Sequence, residues 1–245
     1  MRIAIHPILP LLPLLPILLS CGTKEKPDAS VTEDYFPLEV GDTWLYQEDD
    51  GTEVTQILYE VTEKIDYDFE YDELGPLSVF VVRNSFPSGD SGSDTDAAGG
   101  WRVQYYLDDG TRIDRLRHEV YDDDGVLTKT RDYVDGFLRF DRAKVETDEW
   151  AEEFTRYTDS TPENTADEIV VDETSYLYEV MGFVTVTVPA GEFNCVEWKR
   201  TETDASGEIK LYYYAPGVGK VMEITGDKTE KLVSATVGGV AYGGV

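Results

Sequence analysis

Histidine is almost missing from this 245-residue chain: His6 lies in an apolar N-terminal run, which leaves His118 as the other. Paired-histidine zinc sites are therefore excluded, and a Ser/His/Asp triad would have to rest on His118 alone. That residue sits in Arg115-Leu116-Arg117-His118-Glu119, which reads as a solvated strand face. Basic residues are also scarce, 21 against 50 acids, for a formal net charge of −29. With no basic stripe to override that field, a nucleic-acid partner is excluded. No Gly-rich phosphate loop or dinucleotide fingerprint precedes a helix. Sustained 3.6-residue periodicity is missing as well, and Asp148 to Tyr157 is the best candidate for a short helix. Asp122-Asp123-Asp124-Gly125 lacks the alternating acids and twelfth-position glutamate of an EF-hand, so it reads as a turn, with a loosely held cation at the acidic loop tips as the alternative. These absences predict no cofactor, no metal and no catalytic residue. A hydrolase built on an acid pair stays as a third reading, because the carboxylate separation of about 5–9 Å it needs is set by the fold.

Short runs of β-branched and aromatic residues are abundant. They recur from Thr43 to Val237, divided by Gly, Asp and Asn. Many alternate apolar with polar, as half-buried antiparallel strands do; in Val184-Thr185-Val186-Thr187-Val188 the valines face one way and the threonines the other. Asp50-Gly51, Asp109-Gly110 and Asp124-Gly125 lie between strands, where Asp-Gly suits a two-residue hairpin with positive φ at both central positions. Asp135-Gly136 and Ser206-Gly207 repeat the theme. A meander of hairpins follows. The expected fold is mainly β: one strongly curved antiparallel sheet, a half-barrel or open barrel of about 10–12 strands with little helix. Ser85 to Gly100 and Asp159 to Asp167 read as surface loops.

The N-terminus reads as an address. Met1-Arg2 is a short positive start, and Ile3 to Leu19 carries no charged side chain. Pro7, Pro10, Pro13 and Pro16 interrupt that run, each removing a helix hydrogen bond, which argues against an uncleaved membrane helix. Leu18-Leu19-Ser20-Cys21 resembles the lipobox of bacterial lipoproteins. That resemblance implies cleavage before Cys21 and acylation of its thiol, giving durable anchoring by two or more chains such as palmitate. Residues 1–20 are then a signal peptide, 21–33 a polar tether, and 34–245 a single acidic β domain. Gly22 after the cysteine is similar to the pattern that sorts lipoproteins to the outer membrane. With Cys21 acylated, Cys195 has no partner, and no disulfide is expected.

Two further blocks carry a resemblance. The domain opens with Tyr35-Phe36-Pro37-Leu38-Glu39-Val40-Gly41-Asp42-Thr43-Trp44. It closes with Val188-Pro189-Ala190-Gly191-Glu192-Phe193-Asn194-Cys195 and Tyr212-Tyr213-Tyr214-Ala215-Pro216-Gly217-Val218-Gly219-Lys220-Val221. Both resemble segments of uncharacterised bacterial envelope lipoproteins, and more distantly the curved-sheet carriers of the LolA and LolB kind. The resemblance implies a half-barrel and attaches no activity. Physically the blocks are scaffold: Pro189-Gly191 and Pro216-Gly219 are sharp connections, and Cys195 reads as a small buried hydrophobe. If the sheet forms a groove, Trp44, Trp101, Phe183 and Trp198 are its candidate lining. The expected role is non-enzymatic: a membrane-anchored protein of the cell envelope holding an apolar ligand such as a lipid. The alternative is an interaction lipoprotein that contacts another envelope protein and has no pocket.

Overall fold

The computed structural model describes residues 34–69, 75–86, 100–144, 148–162, 169–203 and 206–244. The signal peptide, Cys21 and the tether lie outside these residues, as do most of the Ser85–Gly100 loop and part of the Asp159–Asp167 loop.

The chain runs up and down through thirteen strands: β1 (Thr43–Asp49), β2 (Val54–Tyr67), β3 (Leu77–Ser85), β4 (Trp101–Asp108), β5 (Arg112–Tyr121), β6 (Leu127–Asp141), β7 (Glu149–Asp159), β8 (Val170–Val188), β9 (Gly191–Glu202), β10 (Ile209–Ala215), β11 (Gly219–Thr225), β12 (Lys228–Val237) and β13 (Val240–Gly243). Each strand pairs antiparallel with the next, and β1 also pairs with β12 from Thr43↔Thr236 to Asp49↔Thr229. The sheet is therefore a closed twelve-strand barrel. This corrects the expected half-barrel or open barrel: β1 has partners on both edges, which removes the exposed row of peptide groups that an open sheet must protect. The short β13 pairs with the Ser234–Val237 half of β12.

Two local expectations are corrected. Of Asp148 to Tyr157, Glu149 onward is strand, most of β7, paired with β8 from Glu149↔Glu179. In the Asp-Gly turns only the glycine has positive φ, so they are not two-residue hairpins with both centres left-handed. Each is a wider loop held by a carboxylate. Asp50 Oδ1 accepts from the backbone N–H groups of Thr52 and Glu53, and Asp109 Oδ1 does the same for Thr111 and Arg112. The Asp50 carboxyl falls to about 2, first because the Thr52 hydroxyl donates to it. Asp135-Gly136 does have both φ values positive, 65° and 81°, yet it sits inside β6 as a bulge: Arg115 faces Phe137 while Arg117 faces Asp132.

The two ends of the barrel differ. One end is closed by the segment before β1, where Tyr35 and Leu38 are buried and Phe36 packs against Tyr106, Phe140 and Tyr214. Arg142 fastens it, donating to Asp34 and to Asp108. Above this plug lies an aromatic layer in which Phe140 stacks on Trp198 at 4.6 Å and Trp198 meets Trp150 edge-on. A second cluster of Phe69, Val79, Val81, Tyr105 and Leu116 lies apart from this core. Beside it Arg117 pairs with Glu119 and Asp132.

Candidate functional site: the charged lumen

Along β1 the buried side of the strand changes character. Trp44 and Tyr46 are buried in the core, whereas Glu48 and Asp50 face open space. That space is a chamber of about 1270 Å³ inside the barrel, with a mouth at the tips of the β1–β2, β9–β10 and β11–β12 hairpins (Asp50, Gly207, Asp227). A volume of this size exceeds the usual range for small-molecule pockets, roughly 300–1,000 Å³.

Its lining reverses the charge balance of the chain. Arg102, Arg115, Arg131, Arg139, Arg156 and Arg200 line it together with Lys210, Lys220 and Lys228, against seven acids. Six of the eleven arginines in this acidic protein thus face inward. The bulges that break alternation help: Ile113 faces Phe140 and Asp114 faces Leu138, leaving Arg139 unpaired between them.

Two electrostatic zones result. In the first, Lys220 Nζ lies 2.8 Å from Glu223 and 2.6 Å from Glu230, with the rings of Tyr46 and Tyr59 nearby. Burial opposes the charge on Lys220, but the two carboxylates outweigh it and its pKa stands well above the usual lysine value. Glu223 is likewise penalised by burial, yet Lys220, Lys210 and Arg139 hold it near 2. This zone is a self-compensated network.

The second zone lacks ion pairs, although Arg139 lies near enough to Glu223 to help lower its pKa. Arg115, Arg139 and Arg200 all stack on Phe137, with guanidinium-to-centroid distances of 4.8, 5.5 and 4.9 Å. Arg115 donates to the Tyr133 hydroxyl at 2.8 Å and to Gln104 at 3.3 Å. Arg200 also lies over Tyr176 at 4.5 Å and Tyr212 at 5.5 Å, and is only 6% exposed. No carboxylate among the described residues forms an ion pair with any of the three. Arg115 Nε, Arg139 Nε, His118 Nε2 and Asn84 Oδ1 are buried in the lining without a hydrogen-bond partner among the described residues. Such groups cost free energy unless something satisfies them.

His118 belongs to this lining. It is 5% exposed, which corrects the solvated strand face read for it. Burial, then Arg115, Arg102 and Arg131, drive its pKa well below the ordinary value, so it stays neutral. Nδ1 lies 3.5 Å from Arg131.

The four aromatics expected to line a groove are dispersed, and none lines the chamber. Trp44 is buried beside the plug, and Trp198 is in the aromatic layer. Trp101 stacks on Tyr121 with Arg83 over its ring. Phe183 packs half-buried against the core. Cys195 is fully buried with a free thiol, which burial pushes up to about 12, far too high for a nucleophile near neutral pH. Sequence reasoning missed the lumen arginines because charge at alternate strand positions looks like a wet outer face. The usable signal was arginine rather than lysine next to aromatics, as in Phe137-Leu138-Arg139-Phe140 and Trp198-Lys199-Arg200.

No family model matches the chain, and no curated protein matches its sequence. Two solved structures align with it. One is a Bacteroides fragilis NCTC 9343 protein described as exported and of YmcC-like fold, 15% identical over 82% of this chain and 97% of that one, with a TM-score of 0.44. The other is a Parabacteroides distasonis ATCC 8503 protein described as a lipoprotein, 16% identical over 83% and 98%, with a TM-score of 0.41. Likeness at that level carries no argument about what this chain does or where it resides.

Proposed function

We propose that this chain is a lipid-anchored protein of a bacterial envelope that holds a ligand in its barrel and performs no chemistry on it. The anchor half of the reading rests on Leu18-Leu19-Ser20-Cys21 and the polar residues after it. The ligand half rests on one observation: a chamber of about 1270 Å³, open at one end, whose wall contains buried polar groups left unsatisfied. A wall built only for stability would be filled by side chains, as the plugged end is. Among the described residues, His118 in the lining contacts an arginine and Cys195 is outside the chamber. A charged lining also shifts the expected ligand away from a purely apolar lipid.

The test is native mass spectrometry on the chain from Thr32 onward, purified from the periplasm of a bacterial host. That piece contains every described core residue. A co-purifying mass lost on denaturation supports the binding role. A clean apo mass overturns it in favour of an interaction lipoprotein without a ligand.

A further inference from the structure

The chamber has one place where its chemistry is unbalanced, and that imbalance names a ligand class. From the three guanidiniums around Phe137 we infer that the lumen binds an organic oxyanion, a molecule whose phosphate or carboxylate group sits between Arg115, Arg139 and Arg200. This rests on the binding role proposed above and specifies its ligand.

Three cations around one ring repel one another, and each is removed from much of the surrounding water. Burial and, to a smaller degree, Arg139 oppose the charge on Arg200, although its tyrosine neighbours outweigh both and its pKa stands above the ordinary value. Proteins usually answer such a cluster with carboxylates, and this one does so a short way along the wall, where Lys220 has both Glu223 and Glu230. At Phe137 no described carboxylate forms an ion pair with the three guanidiniums, Glu223 acting on Arg139 only at longer range, although the chain has 50 acids to draw on. The rings take the place of acids: Phe137, Tyr176 and Tyr212 lie within 5.7 Å of the Arg139 or Arg200 guanidinium, for which no hydrogen bond to a described residue is formed, whereas Arg115 spends N–H groups on Tyr133 and Gln104. Guanidinium edges presented together fit the oxygens of a phosphate or carboxylate bidentately. His118, held neutral, adds no competing positive charge and keeps an unsatisfied Nε2 in the wall. The chamber is many times larger than one oxyanion, so the rest of the ligand is a substantial organic body lying against tyrosine and phenylalanine.

The experiment is isothermal titration at low salt with four probes: inorganic phosphate, citrate, dodecyl phosphate and the uncharged dodecyl maltoside. Native protein is compared with Arg200→Gln and Arg139→Gln. Binding of at least one anionic probe, weakened tenfold or more in either variant, supports the inference. Dodecyl phosphate binding far more tightly than phosphate marks an amphiphile, whereas citrate or phosphate binding comparably marks a hydrophilic polyanion. The melting temperature of each unliganded variant separates a ligand role from a packing role. Removing Arg200, which has no ion pair among the described residues, leaves the melting temperature level or raises it, and a drop of several degrees in Arg200→Gln overturns the assignment, whereas Arg139→Gln also removes a cation acting on Glu223. Binding of dodecyl maltoside with none of the anions overturns the oxyanion class and leaves the chamber reading standing. If no probe binds and the native mass is clean, both fail together.

Discussion

Trp44 Nε1 donates a 2.6 Å hydrogen bond to the carbonyl of Val218, joining the opening of the domain to a turn 174 residues away. Around it the two blocks that looked familiar in the sequence become one structure. Asp34 accepts at its carbonyl from Gly217, Tyr46 donates to the Lys220 carbonyl, and Gly219 lies against Pro37 and Trp44. Asp42 completes the joint by accepting from Gly238. These residues form the floor of the barrel, beneath the chamber.

Trp44→Phe keeps an aromatic ring, though a smaller one, and deletes the donor. The buried Val218 carbonyl then lacks this partner, and the expected loss is about 1–2 kcal/mol. Trp44→Ala opens a cavity beside the plug and costs about 3–5 kcal/mol. Urea unfolding followed by fluorescence measures both: the difference between the variants reports ring packing, and an unchanged stability in Trp44→Phe would show that the hydrogen bond is immaterial.

The β6 bulge makes opposite predictions for adjacent residues. Asp135 is the one non-glycine with positive φ among the described residues, so Asp135→Gly relieves backbone strain and is expected to stabilise by about 0.5–1 kcal/mol. Gly136→Ala would put its Cβ 2.8 Å from the Asp114 Cβ, at a φ of 81°. A loss of about 2 kcal/mol or more is expected there. Thermal melts of the pair check the sign of each effect.

His118 makes stability depend on pH in a defined window. Its folded pKa lies well below 6.5, because burial and then Arg115, Arg102, Arg131 and Lys129 oppose the imidazolium. Below pH 6.5 the unfolded chain takes up a proton that the folded chain refuses. The stability this group allows is therefore complete above that pH and falls as pH drops, by up to about 1.4 kcal/mol per unit. Burial raises Asp114 and Glu230, which protonate in the folded state as pH falls and act with the opposite sign. Comparing wild type with His118→Asn from pH 7.5 to 5.5 cancels those contributions, and the variant is expected to show the flatter profile.

Lys220→Met tests the compensated zone. It leaves Glu223 and Glu230 buried without their shared cation, with an expected loss of about 3–5 kcal/mol at pH 7. Acidification protonates the stranded carboxyls, so the deficit should shrink toward pH 5. A constant deficit measured by denaturant titration would point to lost packing instead.

How far the sequence was legible follows from where the polar residues go. Strands such as β8 and β9 could be read because Val186, Val188 and Trp198 face in while Thr187 and Lys199 alternate with them. β7 misled because Trp150 and Phe154 are four apart, a spacing shared by a helical face and by alternate-residue strand patterns. In β5 alternation was uninformative: Arg115 and His118 face the lumen while Arg117 pairs with Glu119 and Asp132 beside the second cluster. When both faces of a strand carry charge, composition cannot say which is inside. Barrel closure was equally hidden, since it depends on β1 meeting β12, and nothing local to either strand encodes that distance.

Closure also fixes an order of events. As the strands emerge in order, β1 precedes its second partner, β12 centred on Leu232, by ten intervening strands. Until β12 arrives, β1 has a free edge and the walls of the chamber cannot meet. A contact of such long sequence separation makes the final step slow. Loss of even the last fifteen or so residues would remove part of the closing seam, and the open edge so created is a template for pairing with another copy rather than a smaller version of the same barrel.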